Sequence, residues 1–150
     1  MVRRCRDVPG QHLFQYRDDR GRPRGVSSTD VNDYIRRAAG GDFTAKDFRT
    51  WAGTVLAAAR LAGEDLPDSV KAAERIVVRV IREVADRLGN TPAVCRKSYI
   101  NPVVFEAWRD QVVARMVPRG ALAPSRLEKL ALALLRERER KAKARGNGKA

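Results

Sequence analysis

Two short segments of this 150-residue chain concentrate side chains able to work on a phosphodiester. The first, FTAKDFRTWAGT (43–54), puts Lys46 and Arg49 about one helical turn apart. The second, LGNTPAVCRKSYINP (88–102), gathers Asn90, Arg96, Lys97 and Tyr99. A guanidinium meets two nonbridging phosphate oxygens with paired, charge-assisted hydrogen bonds. An asparagine N–H aimed at the same group works as an oxyanion hole does. A tyrosine hydroxyl, with an ordinary pKa of about 10, attacks well only beside positive charge or a base. Arg96 and Lys97 stand next to Tyr99 in sequence and offer such a field. Each residue also has a plainer reading. A tyrosine in a basic helix can simply pack against a core. Arg49 can belong to a solvated or ion-paired face, and Asn90 after Gly89 suits a cap or turn.

The charge balance favours a polyanionic partner. The chain carries 31 Lys and Arg against 18 Asp and Glu, a formal net charge of +13. Residues 126–150 hold nine of the basic residues and three of the acidic ones, so +6 lies there and +7 in the preceding part. A surface this basic suits nucleic acid first and an anionic membrane surface second. No apolar run approaches the roughly 18 residues of a membrane span. The start, MVRRCRDVPG, lacks the apolar core of a secretion signal. Cys5 and Cys95 are too few for a disulfide framework or a Cys-rich zinc site. With His12 the only histidine, no metal site is expected. The expectation is a cytoplasmic, nucleoid-associated and monomeric protein that binds no membrane and needs no cofactor.

Helices must position these residues. Residues 1–28 show little helical periodicity; Gly21, Pro23 and Gly25 punctuate an irregular N-terminal segment with a short extended piece near Leu13–Tyr16. Ser28, Thr29 and Asp30 offer caps for a first helix that presents Val31, Tyr34, Ile35 and Ala38 on one face and stops at Gly40-Gly41. Thr44 and Asp47 have capping-box spacing for a second helix. Its apolar stripe reads Phe48, Trp51, Val55, Leu56 and Ala59, with Lys46, Arg49 and Thr50 off it, and Gly63 closes it. A third helix runs from a Ser69 cap to Gly89 with Val70, Ala73, Val77, Val80, Ile81, Val84 and Leu88 inward. Thr91-Pro92 opens a short helix to about Tyr99, with Cys95 as a small buried residue, and Asn101-Pro102 opens another. Pro118 and Gly120 interrupt the chain. A last helix from about Pro124 carries Leu127, Leu130, Leu134 and Leu135 and ends in a low-complexity basic stretch from Lys141. Trp51 and Trp108 read as core anchors. The expected organisation is an irregular segment over 1–28, a helical core over 29–117 and a basic C-terminal helix and tail over 118–150.

The pieces GQHLFQY, VNDYIR, KDFRTWAGT and GNTPAVCRKSY occur in this order. In that order they resemble the C-terminal part of the catalytic domain of type IB DNA topoisomerases, in the bacterial and poxvirus-like branch. The likeness extends over roughly residues 5–110. It implies a mainly α fold of the tyrosine recombinase/topoisomerase IB catalytic core. It also implies a tyrosine that attacks backbone phosphate in double-stranded DNA and forms a 3′-phosphotyrosyl intermediate, after which the strand swivels and is resealed without ATP or metal. On the matching motifs the nucleophile is Tyr99, the helical arginine is Arg49, and the transition-state donor is Asn90, nine residues before the tyrosine. Lys46 would support phosphate contact, as would Arg96 and Lys97. The family also uses an earlier arginine and a general-acid lysine on a β-hairpin, and a preceding DNA-clamping domain, none of which this sequence matches. General acid catalysis contributes roughly 10²–10⁴-fold. The isolated chain is therefore expected to relax supercoils poorly, or to need a companion polypeptide that supplies the N-terminal half.

Three other classes remain open. A tyrosine recombinase shares the fold and a similar spacing, but its second box has the form HxLRH, whereas Lys46 and Thr50 flank Arg49 here. A non-enzymatic DNA-binding module would keep the charge and lose the chemistry. A membrane-surface protein using the Leu127–Leu135 stripe fits loosely and ignores both central segments.

Overall fold

The computed structural model describes residues 14–116 and 124–146. The expectations for Cys5, His12, Leu13 and the break at Pro118 and Gly120 fall outside these residues. The chain divides into two compact units, 1–47 and 48–150.

In the first unit the stretch read as irregular closes into a hairpin. Strand β1 (Gln15–Arg17) pairs antiparallel with β2 (Pro23–Gly25), Tyr16 opposite Arg24. Asp18 organises the connection: its carboxylate accepts from the backbone N–H groups of Arg20 and Arg22 at 3.0 and 2.9 Å and from the Arg22 side chain. These bonds hold the Asp18 carboxyl below its ordinary pKa of 3.8. Helix α1 (Ser28–Ala39) is capped by Ser27, one residue earlier than expected. Asp30, three residues on, completes a reciprocal capping box, and that pairing selects Ser27. Gly40 ends the helix in the left-handed conformation, φ 66°. The face expected to be buried is not: Val31 and Tyr34 are exposed and no residue of α1 is buried. Two three-residue strands offer too little apolar surface to cover it.

Helix α2 (Ala45–Ala62) begins in this unit, where Asp47 accepts from the backbone N–H and hydroxyl of Thr44 at 2.8 and 2.7 Å. Only half of the expected capping box forms: the Asp47 N–H bonds to the Thr44 carbonyl, not to its hydroxyl, and the two bonds donated by Thr44 keep the Asp47 carboxyl below its ordinary range.

The second unit has a core. Beyond α2 it contains α3 (Val70–Leu88), α4 (Pro92–Val94), a π-helical turn (Cys95–Tyr99), α5 (Val103–Arg109), α6 (Val112–Met116) and α7 (Pro124–Gly146). Leu61, Val77, Val84, Val104, Val113 and Leu134 are essentially inaccessible. Trp108 anchors the core as expected, its indole N–H donating to the Glu64 carbonyl at 3.0 Å. Trp51 is only half-buried. Ser69 caps α3, and its inward face is Ala73, Val77, Val80, Ile81, Val84 and Ala85; Val70, in the first turn, stays exposed. The helix expected from Pro102 breaks at Asp110–Gln111, where Gln111 has φ 56°, and resumes as α6. On α7, Leu130 and Leu134 are buried, and Leu135 packs against the core.

The largest correction concerns α2. Its buried residues are Gly53, Thr54, Ala57, Ala58 and Leu61, whereas Phe48 is exposed and Val55, Leu56 and Ala59 are half-buried. Apart from Leu61 the buried face is built from small residues, which let another segment approach the helix closely. That segment carries Tyr99.

Candidate active site

The end of α3 sets one side of the site. Gly89 follows the helix with φ 63°; its N–H and that of Asn90 turn back to the carbonyls of Asp86 and Ala85, at 3.3 and 2.9 Å. This is the Schellman arrangement, and it fixes the backbone of Asn90. The Leu88 carbonyl, at the negative end of the helix, is left for side chains. Arg49 Nη2 donates to it at 2.7 Å and Asn90 Nδ2 at 3.2 Å. Two polar groups 41 positions apart in sequence thus share one main-chain oxygen. Asn90 is therefore a capping residue in the plain sense.

Tyr99 closes the other side. Thr91 caps Pro92–Val94, its side chain accepting from the Val94 N–H at 3.3 Å. The chain then widens instead of continuing as the α-helix expected to Tyr99. The Ile100 N–H reaches back five residues to the Cys95 carbonyl at 3.0 Å. Such a π turn holds one more residue than an α turn and swings the side chains that follow. The Arg49 guanidinium carbon lies 5.0 Å from the centroid of the Tyr99 ring, in cation–π range. Cys95 is fully buried as expected; burial pushes its thiol pKa up while the nearby Arg49 charge pulls it down.

Helix α2 fixes this turn by contact and by hydrogen bonds. A Cβ on Gly53 would stand 2.3 Å from the Tyr99 carbonyl oxygen, so only glycine fits there. Thr50 Oγ1 donates to the Ser98 carbonyl at 3.3 Å. The backbone N–H of Asn101 donates to Thr54 Oγ1 at 3.1 Å. Sequence reasoning missed Gly53, Thr50 and Thr54. Glycine in the middle of an otherwise regular helical pattern was the available signal for close approach.

The other candidates are placed differently. Lys97 is exposed, two residues before Tyr99. Arg96 is exposed but ion-paired with Glu74 at 3.3 Å, and Glu74 also binds Arg109 at 2.7 Å. Lys46 is exposed on the first turn of α2, in the first unit, next to the Asp47 carboxylate. The structure thus brings Arg49, Asn90 and Tyr99 together and directs Arg96 to a carboxylate. Among the described residues, no group of three or more His, Cys, Asp and Glu is placed to hold a metal ion. No helix among them is long and apolar enough to cross a membrane.

Comparison with known proteins assigns the chain to a family. The family model for the eukaryotic DNA topoisomerase I catalytic core matches residues 1–116. The chain belongs to the type IB DNA topoisomerases. DNA topoisomerase 1B of Acanthamoeba polyphaga mimivirus is 30% identical over 110 residues, which cover 69% of this chain and 33% of that protein. The chain therefore spans about a third of the length of this topoisomerase relative. The topoisomerase match contains α1 to α6 and every candidate site residue, and it ends before α7. Its mainly helical architecture is that expected of the topoisomerase IB catalytic core.

Proposed function

We propose that this chain acts on duplex DNA by a reversible transesterification at Tyr99. The Tyr99 hydroxyl oxygen bonds to a backbone phosphorus, and the bond from that phosphorus to the 5′-oxygen of the next nucleotide breaks. The tyrosyl proton is lost and the departing 5′-oxygen gains one, so charge and atoms balance. The strand end is held as a 3′-phosphotyrosyl ester while the free 5′ end swivels. The 5′-hydroxyl then attacks the ester and restores the strand, which relaxes supercoils. One phosphodiester replaces another, so no ATP is consumed.

The observation that carries this reading is the grouping of Arg49 and Asn90 on one carbonyl beside the Tyr99 ring. Arg49 spends one of its donors on Leu88 and keeps others for a phosphate. In this reading it meets the nonbridging oxygens as negative charge builds on them. Asn90 supplies a neutral donor to the same oxygens. Lys46 and Lys97 contact flanking phosphates. Arg96 joins them by exchanging Glu74 for phosphate, a small cost because an exposed ion pair is worth only ~0–1 kcal/mol.

Covalent trapping tests the proposal. A duplex with sulfur in place of the scissile 5′-oxygen has a leaving group that departs without protonation. The full chain is expected to form a denaturant-resistant adduct with it, Tyr99→Phe to form none, and Arg49→Ala to form it about 10²–10³-fold more slowly. An adduct of undiminished yield in Tyr99→Phe would remove Tyr99 from the mechanism. Salt-sensitive DNA binding with no adduct in the parent chain would leave a DNA-binding module.

A further inference from the structure

We propose that Arg138, on the C-terminal helix α7, is a positioning residue for Tyr99, acting through Asn101. The proposal rests on the reading of Tyr99 as nucleophile, and it concerns a helix outside the residues matched by the topoisomerase family model. Arg138 Nη1 donates to Asn101 Oδ1 at 3.0 Å. The same oxygen accepts the Val103 N–H at 3.1 Å, which starts α5. Two donors on one oxygen, one of them charged, fix the rotation of the Asn101 side chain. The Asn101 backbone N–H is in turn bonded to Thr54 Oγ1, and that hydroxyl donates to the Thr50 carbonyl at 2.8 Å. Thr50 closes the path on the Ser98 carbonyl. The residues on either side of Tyr99 and Ile100 are therefore tied to α2 and, through Asn101, to α7.

The base of this strut is packed. Leu134 lies one turn before Arg138 on the same face of α7 and is buried, and α7 packs on α5. Asn101 is two residues from Tyr99, so their Cα atoms are at most ~7 Å apart. A shift of Asn101 reaches the tyrosine with little slack between them. Misplacing a reacting group by about 1 Å costs up to ~10²-fold in rate. Helical spacing and net charge single out no residue of this basic end of the chain.

The experiment uses the full chain with Arg138→Ala, Arg138→Lys and, as a charge-matched control on the same helix, Arg136→Ala. Two quantities are read. The first is the rate of adduct formation on the sulfur-containing duplex at saturating DNA, with DNA affinity measured separately. The second is amide hydrogen exchange at Ser98 to Asn101. Arg138→Ala is expected to slow adduct formation about ten-fold at saturation and to speed exchange at Ser98 to Asn101. Arg136→Ala should match the parent in both, and Arg138→Lys should recover most of the rate. Unchanged exchange at these amides in Arg138→Ala overturns the proposal, as does faster exchange with an unchanged cleavage rate. If the parent forms no adduct, the nucleophile reading fails while the exchange comparison still decides whether Arg138 holds the segment.

Discussion

The two units are held together by different physics. In residues 14–47 no side chain is buried, and order comes from polar contacts close in sequence: the Asp18 turn, the Ser27–Asp30 box, and Arg36 bonded to Asp33 and Asp42. From residue 48 onward a shared apolar core draws on α2, α3, α5, α6 and α7. Local polar contacts are each worth a fraction of a kcal/mol to about 1 kcal/mol and fail one at a time. A packed core fails together. The group proposed to carry the chemistry, Arg49 with Asn90 and Tyr99, sits wholly in the second kind of region, where side chains can be held to the fraction of an ångström that catalysis requires.

Substitutions can break this contrast. Leu61→Ala, at a fully buried position, should lower global stability by ~3 kcal/mol in denaturant unfolding, while Tyr34→Ala in α1 should change it by less than ~0.5 kcal/mol. An equal loss from both would show one cooperative structure. Gly53→Ala sharpens the contrast within the second unit. The added methyl has no room against the Tyr99 carbonyl, so ~2 kcal/mol of strain is expected. Adduct formation should fall with it in the fraction that stays folded. Ser27→Ala should cost ~1 kcal/mol, seen as faster amide exchange confined to α1, with exchange in α3 unchanged.

Acid gives the mildest probe. Asp18, Asp30 and Asp47 are held below the ordinary 3.8 by hydrogen bonds, from backbone N–H groups first at Asp18 and from the capping hydroxyls first at Asp30 and Asp47. A carboxylate with a depressed folded pKa contributes its full stabilisation above the unfolded value and loses it as pH falls through the lowered one. All three belong to the first unit. Below about pH 4, NMR signals of the hairpin and α1 should therefore broaden or shift before those of α3.

Much of the architecture was readable because its signals are local. Ser69 and Gly89 bracket α3, Thr44 and Asp47 open α2, and the leucines of α7 repeat at helical spacing. The misses have physical reasons. Helical spacing points to the large residues of α2 as its buried stripe, yet mostly small ones face the core because they permit close approach, and their low hydropathy hides this. Five residues of periodicity do not distinguish a bond four residues back from one five back, so in sequence the π turn before Ile100 looks like α-helix. The extended piece near Tyr16 is legible, but three-residue strands carry too few alternations to show its pairing with Pro23–Gly25, and the break at Gln111 has neither glycine nor proline to announce it. At the site, motif resemblance named Arg49, Asn90 and Tyr99. What gathers the first two is a peptide oxygen, for which sequence has no letter.

That choice of anchor shapes how the protein can vary. A side-chain acceptor at this place would be lost by a single codon change, whereas every amino acid at position 88 brings the same carbonyl. In a saturation library scored for covalent adduct, position 88 should therefore tolerate other large apolar residues such as methionine. The vulnerable columns should lie beside it: position 89, where φ of 63° favours glycine, and position 53, where any side chain displaces the tyrosine backbone. The residue that orients both donors would be among the quietest in such a map, and its neighbours without side chains among the loudest.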